Sequence, residues 1–403
     1  MSQHLSHRRL LACLGLLLGS LACSGFVLQG LGFALPALVQ HWRIDPPQLA
    51  GAFTAHLLGI VLGALALGRL GDRFGRRRLL CAALALQGLA SIGCALAGGP
   101  VSLTLARLVA GIGVGGCTPN AVSLALELAP PAWRTRATAL VLSGVALGSC
   151  LPGVVGPLAV ATWGWPALFW MGAGASMLTA AGLWHVVEES ARYRALRAAE
   201  LVQSVPAQEP LRLLLRPPLR PATLWLWAAY AGCMMALHLL TSWLPLLLQQ
   251  AGQSTTRAAQ LTGLVHLAGA TAMLGTALLP GRRGQGWLLG LLITAASSAV
   301  LLGTGGLAQA WVVVWIAGLG FGLIGSQGVL GTLAAQLYPD TCRPTGIGAA
   351  QAAGRIGSML GPLIGGALQY AGLGGEQLLA PAIVALGVAM AAALQLQRHN
   401  RAS

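Results

Sequence analysis

Charge is missing from this chain over lengths that no water-soluble core tolerates. From Leu10 to Leu396 one apolar run follows another, broken at short intervals by small arginine clusters. A chain of 403 residues that is 56% hydrophobic and 8% charged, with a mean hydropathy of +0.74, has too little polar surface to close around one aqueous core. A bilayer accepts such segments, at about 20 apolar residues per crossing of a hydrocarbon layer about 30 Å thick. The predicted spans are Leu10–Pro36, Gln48–Leu70, Leu79–Ala97, Val101–Ala129, Ala137–Ala161, Pro166–Val187, Thr223–Leu248, Ala258–Leu279, Gly286–Gly303, Ala310–Leu337, Thr345–Tyr370 and Leu378–Leu396. The expected fold is an all-α membrane protein with twelve transmembrane helices.

A net charge of +15 suggests nucleic-acid binding in a soluble protein. Here the positive-inside rule accounts for it, and no nucleic-acid partner is expected. Every basic residue is Arg. Arg8, Arg9, Arg69, Arg73, Arg76 to Arg78, Arg134, Arg136, Arg192, Arg194, Arg197, Arg212, Arg216, Arg220, Arg282, Arg283, Arg343, Arg398 and Arg401 fall in the tails and alternate loops. Arg43 and Arg257 alone lie in the opposite loops. That asymmetry sets both termini in the cytoplasm, which an even number of spans requires. Arg8-Arg9 ahead of Leu10 resembles a signal-peptide start, but the apolar run continues to Val39, too long for a signal h-region.

The predicted organisation is a cytoplasmic N-tail over 1–9, a six-helix bundle over 10–187, a cytoplasmic central loop over 188–222, a second six-helix bundle over 223–396 and a cytoplasmic C-tail over 397–403. The central stretch Glu188–Ala222 carries six Arg, four Glu and five Pro, and Ser190–Val202 within it has the pattern of an amphipathic surface helix. The bundles are related in sequence. Glu127-Leu-Ala-Pro130 with Arg134 recurs as Gln336-Leu-Tyr-Pro339 with Arg343, at an offset of 209. The same offset carries Gly111, Gly113 and Gly116 onto Gly320, Gly322 and Gly325. Gln48-Leu-Ala-Gly51 also echoes Gln260-Leu-Thr-Gly263. Two pseudo-symmetric halves of parallel topology suit a rocking transporter.

Enzymatic chemistry finds no foothold. The eight Cys are scattered through apolar segments without a CxxC pair and read as packing residues. No His cluster has metal-ligand spacing, and no cofactor is expected. Gly111-Ile-Gly113-Val-Gly115-Gly116 matches a loose dinucleotide fingerprint, yet it lies inside a span with no strand before it, so close helix packing explains it better.

A sharper pattern is Gly68-Arg-Leu-Gly-Asp72-Arg73-Phe-Gly75-Arg76-Arg77 between spans two and three. It resembles the loop signature of the major facilitator superfamily. Arg107-Leu-Val-Ala-Gly111-Ile-Gly113 in span four resembles that superfamily's second motif. Gly357-Ser-Met-Leu-Gly361-Pro362-Leu-Ile-Gly365-Gly366 in span eleven resembles its glycine-proline motif, usually met in span five. The resemblance implies the major facilitator fold, in a multi-pass inner-membrane protein. It also implies a cytoplasmic gate of Asp72, Arg73, Arg76 and Glu127, with Asp72 facing the start of span eleven near Asp340 to Thr345 and Arg76 reaching Glu127. Gly111, Gly113, Gly357, Gly361 and Pro362 are expected to pack helices closely.

Nearly the whole chain also resembles the aromatic acid:proton symporters, through Gly32-Phe33-Ala-Leu-Pro36, Pro119-Asn120, Glu127-Leu-Ala-Pro130, Ser242-Trp-Leu-Pro-Leu-Leu-Leu248 and Gly354-Arg355-Ile-Gly357. Within that family the linker and span seven look most like the 3-(3-hydroxyphenyl)propionate transporters. One departure stands out. The family's first span carries two acidic residues three apart, and here those positions hold Ser24 and Val27, with Gln29 retained. The second-half copy of the loop signature, Gly281-Arg282-Arg283-Gly284, has lost its Asp.

Ionisable residues at depth sharpen the substrate class. At about 1.5 Å per residue, Arg355 lies about 15 Å into span eleven and Arg107 about 9 Å into span four. By the same rise, His56 and His266 lie about 12 Å into their spans and His238 about 22 Å into span seven. No acidic residue occurs between Glu209 and Asp340. Charge at such depth costs about 2.5–3.5 kcal/mol on insertion scales and usually serves a purpose. A guanidinium matches a carboxylate in bidentate geometry, so Arg355 and Arg107 suit an organic anion, with Gln29 and Asn120 as further substrate-site candidates. The alternative for each Arg is bracing of backbone carbonyls. His56 and His266 are the proton-coupling candidates, since His titrates near neutral pH; as packed polar residues they would do neither.

The expected function is a secondary transporter importing a small, hydroxyphenylpropionate-like aromatic carboxylate by alternating access, with the proton gradient as driving force implied by the family. A monomer is the expected unit. An efflux pump for amphipathic compounds and a non-transporting sensor of the same fold are the alternatives.

Overall fold

The computed structural model describes residues 7–130, 133–189, 211–217, 219–277, 284–306, 310–339 and 342–402. Among them there are helices and turns and no strand. The long helices are α1 (His7–Trp42), α2 (Ala50–Phe74), α3 (Arg76–Ala95), α4 (Pro100–Leu128), α5 (Arg134–Trp163), α6 (Pro166–Val186), α7 (Leu219–Gln250), α8 (Thr255–Ala277), α9 (Gly284–Leu301), α10 (Val312–Leu337), α11 (Arg343–Tyr370) and α12 (Ala380–Ala402). Each predicted span overlaps one of them.

Several helices outrun the hydropathy signal by a turn or more. α1 continues six residues past Pro36, and α7 starts four residues before Thr223, inside the expected central loop. Hydropathy stops where side chains turn polar, whereas backbone hydrogen bonding continues through the headgroup region. Pro36, Pro119, Pro152, Pro157, Pro245 and Pro362 all sit inside helices, as membrane helices tolerate. Ends follow local chemistry. Pro opens α4, α6 and α11, where its missing N–H costs nothing. α9 closes with a π turn over Leu302–Gly306. The expected surface helix Ser190–Val202 lies outside the described residues.

Ten of these helices are long and apolar enough to cross a bilayer unaided. The other two are α8 and α11, which carry His266 and Arg355. Helices bearing mid-membrane polar groups need protein neighbours, and both have them: α8 packs on α10, and α11 on α7.

The chain divides into two compact units, Met1–Arg43 with Ala55–Gln203, and Ile44–Thr54 with Ser204–Ser403. In the first unit α1 packs on α5, and α3 on α4 and α6. In the second, α7 packs on α11, and α9 on α10 and α12. These are the same pairings one repeat apart. The glycine contacts fix the register. Gly148 lies against the Ala22 carbonyl, as Gly357 lies against that of Ala231. Gly111 meets the His56 carbonyl, as Gly320 meets that of Val265. All four positions shift by 209. The echo of Gln48–Gly51 in Gln260–Gly263, at an offset of 212, is therefore not the structural register. His56 corresponds to Val265, and His266 is turned about 100° from it, one residue along the helix.

Candidate functional site

One buried polar network of the first unit is neutral. Ser24 shares its hydroxyl hydrogen between the Ser20 carbonyl and Gln87 Oε1, each at 3.1 Å. Gln87 Nε2 donates to Ser176 Oγ at 2.9 Å, and Ser176 donates to the Gly172 carbonyl at 2.7 Å. Cys117 approaches Gln87 Oε1 at 3.8 Å. This network ties α1, α3, α4 and α6 together and holds no charge. Gln87 escaped the sequence reading; an amide in the middle of the apolar α3, one turn before Ser91, is the sign that marks it. At Val27 the side chain meets Gly172.

Arg107 is 1% exposed and donates through Nη1 to the Val27 carbonyl at 2.6 Å and through Nη2 to the Leu28 carbonyl at 3.0 Å. Its planar fork is aimed at the protein's own backbone, the bracing geometry of the two alternatives. His56 Nδ1 lies 3.0 Å from the Arg107 carbonyl, which only accepts, so Nδ1 carries the hydrogen. Asn120 donates to the carbonyls of Leu67 and Gly116 at 3.2 and 2.8 Å and lies against Gly71, stapling α4 to α2. Gln29 is half-buried on α1.

Beside these, at the arginine-rich end of the unit, Arg76 pairs with Glu127 at 3.2 Å, both about four-fifths buried. Arg77 donates to the Val187 carbonyl at 3.1 Å and stacks over Trp184 at 4.7 Å, a cation at the C-terminus of α6. Glu189 returns the contact, accepting from the Arg77 and Arg78 amides at 2.9 and 3.3 Å at the start of α3. Gly75 sits at φ +101°, and a side chain there would strike that carboxylate. Arg73 is exposed and stacks over Phe74 at 5.3 Å. The Asp72 side chain, Asp340 and the Gly281–Arg283 part of the second-half loop lie outside what the structure describes.

The second unit is built differently. Gly357 and Gly361 on α11 lie against the Ala231 and Met235 carbonyls on α7, and Gly365 against Trp243. Trp243 is fully buried, and its Nε1–H donates to the Pro362 carbonyl at 3.3 Å. The span-seven and span-eleven motifs thus form one interlocked pair. In the position of Ser24 and Cys117, shifted by 209, stand Cys233 and Ser326, joined at 3.6 Å with the chemistry exchanged. At the end of α10, Tyr338 packs on Gly346, and burial pushes its phenol up from the ordinary value.

Three cationic or protonatable groups gather near the middle of this unit's helices. Arg355 lies about 2 Å along the axis from the midpoint of α11, His266 at that of α8, and His238 about 5 Å from that of α7. Arg355 is half-buried and has no hydrogen-bond or ion-pair partner among the described residues. Gly354, next to Arg355, lies against Met234 on α7, one turn before His238, and α8, which carries His266, also packs on α7. His238 lies as near the middle of its predicted span as His266 does of its own, so depth alone does not separate the two. Among the described residues no carboxylate lies in the spans of this unit. A cleft of about 450 Å³ at the helix ends, lined by Asp45, Gln250 and Tyr370 among others, presents a carboxylate and no cation.

Residues 17–362 match the model of the Major Facilitator Superfamily. The chain is 35% identical over 392 residues to the 3-(3-hydroxy-phenyl)propionate transporter of Escherichia coli (strain K12), covering 96% of this chain and 94% of that one. It is 31% identical to the 4-hydroxybenzoate transporter PcaK of Pseudomonas aeruginosa, over 92% and 88% of the two chains. It is 30% identical to the gallate transporter of Pseudomonas putida, over 87% and 83%. In fold it resembles a bacterial homolog of the human lysosomal transporter Spinster, with a TM-score of 0.70, 16% identity and 98% of each chain covered. This protein belongs to the Major Facilitator Superfamily and is a multi-pass membrane transporter, not an enzyme.

Proposed function

We propose that the chain imports a small aromatic carboxylate across the inner membrane together with protons. The observation that carries this reading is Arg355, a mid-helix guanidinium with no acceptor among the described residues. A charge left unpaired at that depth is costly, and a carboxylate matches its planar fork. Relatives named for hydroxyphenylpropionate, hydroxybenzoate and gallate share an aromatic ring and a carboxylate, which supports the substrate class. Arg107, with both Nη atoms on carbonyls, we assign to bracing. Arg76 and Glu127, with Asp72 and Arg73, we assign to a gate on the cytoplasmic side, where the arginine asymmetry puts both termini.

Uptake into proteoliposomes tests the reading. Labelled 3-(3-hydroxyphenyl)propionate, 4-hydroxybenzoate and gallate are offered with and without an inward proton gradient. Accumulation above the external concentration only with the gradient is expected. Export from preloaded vesicles would indicate an efflux pump, and binding without flux a sensor.

A further inference from the structure

We propose that His238 is the proton-carrying partner of Arg355, so that one carboxylate and one proton occupy the second unit together and the cycle moves no net charge. The inference rests on the reading that the substrate is a carboxylate. Its geometry is independent of the two histidines that sequence alone favoured. His56 belongs to the first unit, where its ring is bonded to the backbone of α4. His238 is on α7, the helix that α11 packs against, and Gly354 and Gly361, on either side of Arg355, lie against Met234 and Leu239, on either side of His238.

The tautomer of His238 is fixed by its surroundings. Nδ1 lies 3.0 Å from the Met234 carbonyl. A carbonyl only accepts, so the hydrogen is on Nδ1 and the lone pair is on Nε2. Nε2 is therefore the atom that takes a proton. The groups facing the ring are few. α11, packed on α7 with Gly354 against Met234, contributes Arg355, and α8, also packed on α7, contributes His266. α10 has no charged residue, and the ionisable groups of α12 lie at its far end, from Arg398 onward. On α7 itself the nearest titratable groups are Cys233 and Tyr230, one and two turns away.

With the site empty, Arg355 repels a second positive charge on His238. A carboxylate seated on the guanidinium removes that repulsion and adds an attraction, so a proton from bulk water binds Nε2 as the anion arrives. Release of the anion reverses the balance and returns the proton to water. One negative and one positive charge thus travel together. A second proton on His266 would face the first on His238, which holds the count at one.

Proton uptake by the purified full-length chain in detergent, in weak buffer near neutral pH, tests this as 3-(3-hydroxyphenyl)propionate is added. About one proton per bound molecule is expected. His238→Gln is expected to bind with no uptake and with an affinity that no longer varies with pH. Uptake that persists in His238→Gln, or that follows His266 instead, overturns the assignment. A measurement on the wild type needs no variant to fold. In proteoliposomes a pH gradient alone should drive accumulation, and an inside-negative potassium potential alone should not. Accumulation driven by the potential overturns the one-to-one count. Binding without any proton uptake overturns the coupling and leaves the carboxylate reading standing. Absence of both binding and flux for all three aromatic acids removes that reading, and the inference falls with it.

Discussion

The two units share one packing plan and put opposite chemistry at its centre. Ala22 on Gly148 and Ala231 on Gly357 are the same contact one repeat apart, yet the residues around them diverge. The first unit closes its polar groups on one another through Ser24, Gln87 and Ser176 and ties Arg107 to α1. The second has Cys233 where the first has Ser24, and Ala146 in the first becomes Arg355. Gln29 becomes His238, while Arg107 becomes Ile316. In the first half the buried Arg107 is tied to backbone carbonyls, and in the second Arg355 has no hydrogen-bond partner among the described residues. Neutral, satisfied networks rigidify; an unpartnered cation invites a ligand.

The glycine contacts should give the largest effect, and the same one in both halves. Gly148→Val and Gly357→Val each push a side chain into a neighbouring helix backbone. Both are expected to abolish folded yield by size-exclusion chromatography. If one variant folds normally, the shared packing plan does not hold for that half.

Next come the two arginines, which should separate cleanly. Arg107→Leu removes two charge-assisted bonds at about 1.5–3 kcal/mol each and is expected to lower the melting temperature sharply. Arg355→Lys should leave the melting temperature near wild type and reduce carboxylate transport more than tenfold, because a point donor cannot reproduce the fork. Equal stability losses in the two variants would erase the distinction between a brace and an anchor.

A smaller contrast is expected at the exchanged pair. Ser24→Ala loses a bond to an amide oxygen at 3.1 Å, whereas Ser326→Ala loses a weak contact to sulfur at 3.6 Å. Buried hydrogen bonds in membrane proteins average about 0.6 kcal/mol. Chemical denaturation should therefore show Ser24→Ala as the more harmful by a few tenths of a kcal/mol. The reverse order would place the better-satisfied network in the second unit.

Smallest is Glu127→Gln. The ion pair with Arg76 at 3.2 Å is about one-fifth exposed, and such pairs contribute about 0.2–1 kcal/mol. Transport is expected to change by no more than about fivefold, with substrate affinity moving less than rate. An affinity change as large as the rate change would move Glu127 from a gate to the binding site.

Much of the fold was legible because a membrane protein displays its helices as hydropathy. Every predicted span has its helix, and the 209-residue repeat was visible in Glu127–Pro130, Gln336–Pro339 and the glycines of spans four and ten. The same reading misjudged the register of α2 against α8, since a four-residue echo carries no packing information. It left both Arg107 and Arg355 open between substrate anchoring and bracing, because depth and residue type are all that sequence gives.

Sequence by itself determined that the chain crosses the bilayer, where the turns fall, and that cationic or protonatable groups and no carboxylates lie at depth in the second half. These follow from composition along a line. Tertiary structure decided which cations are free. A guanidinium is a brace or an anchor according to whether backbone carbonyls from another helix come within about 3 Å. For Arg107 α1 supplies them, and for Arg355 no described residue does. That distance is set by helix packing, which no single segment of the sequence records.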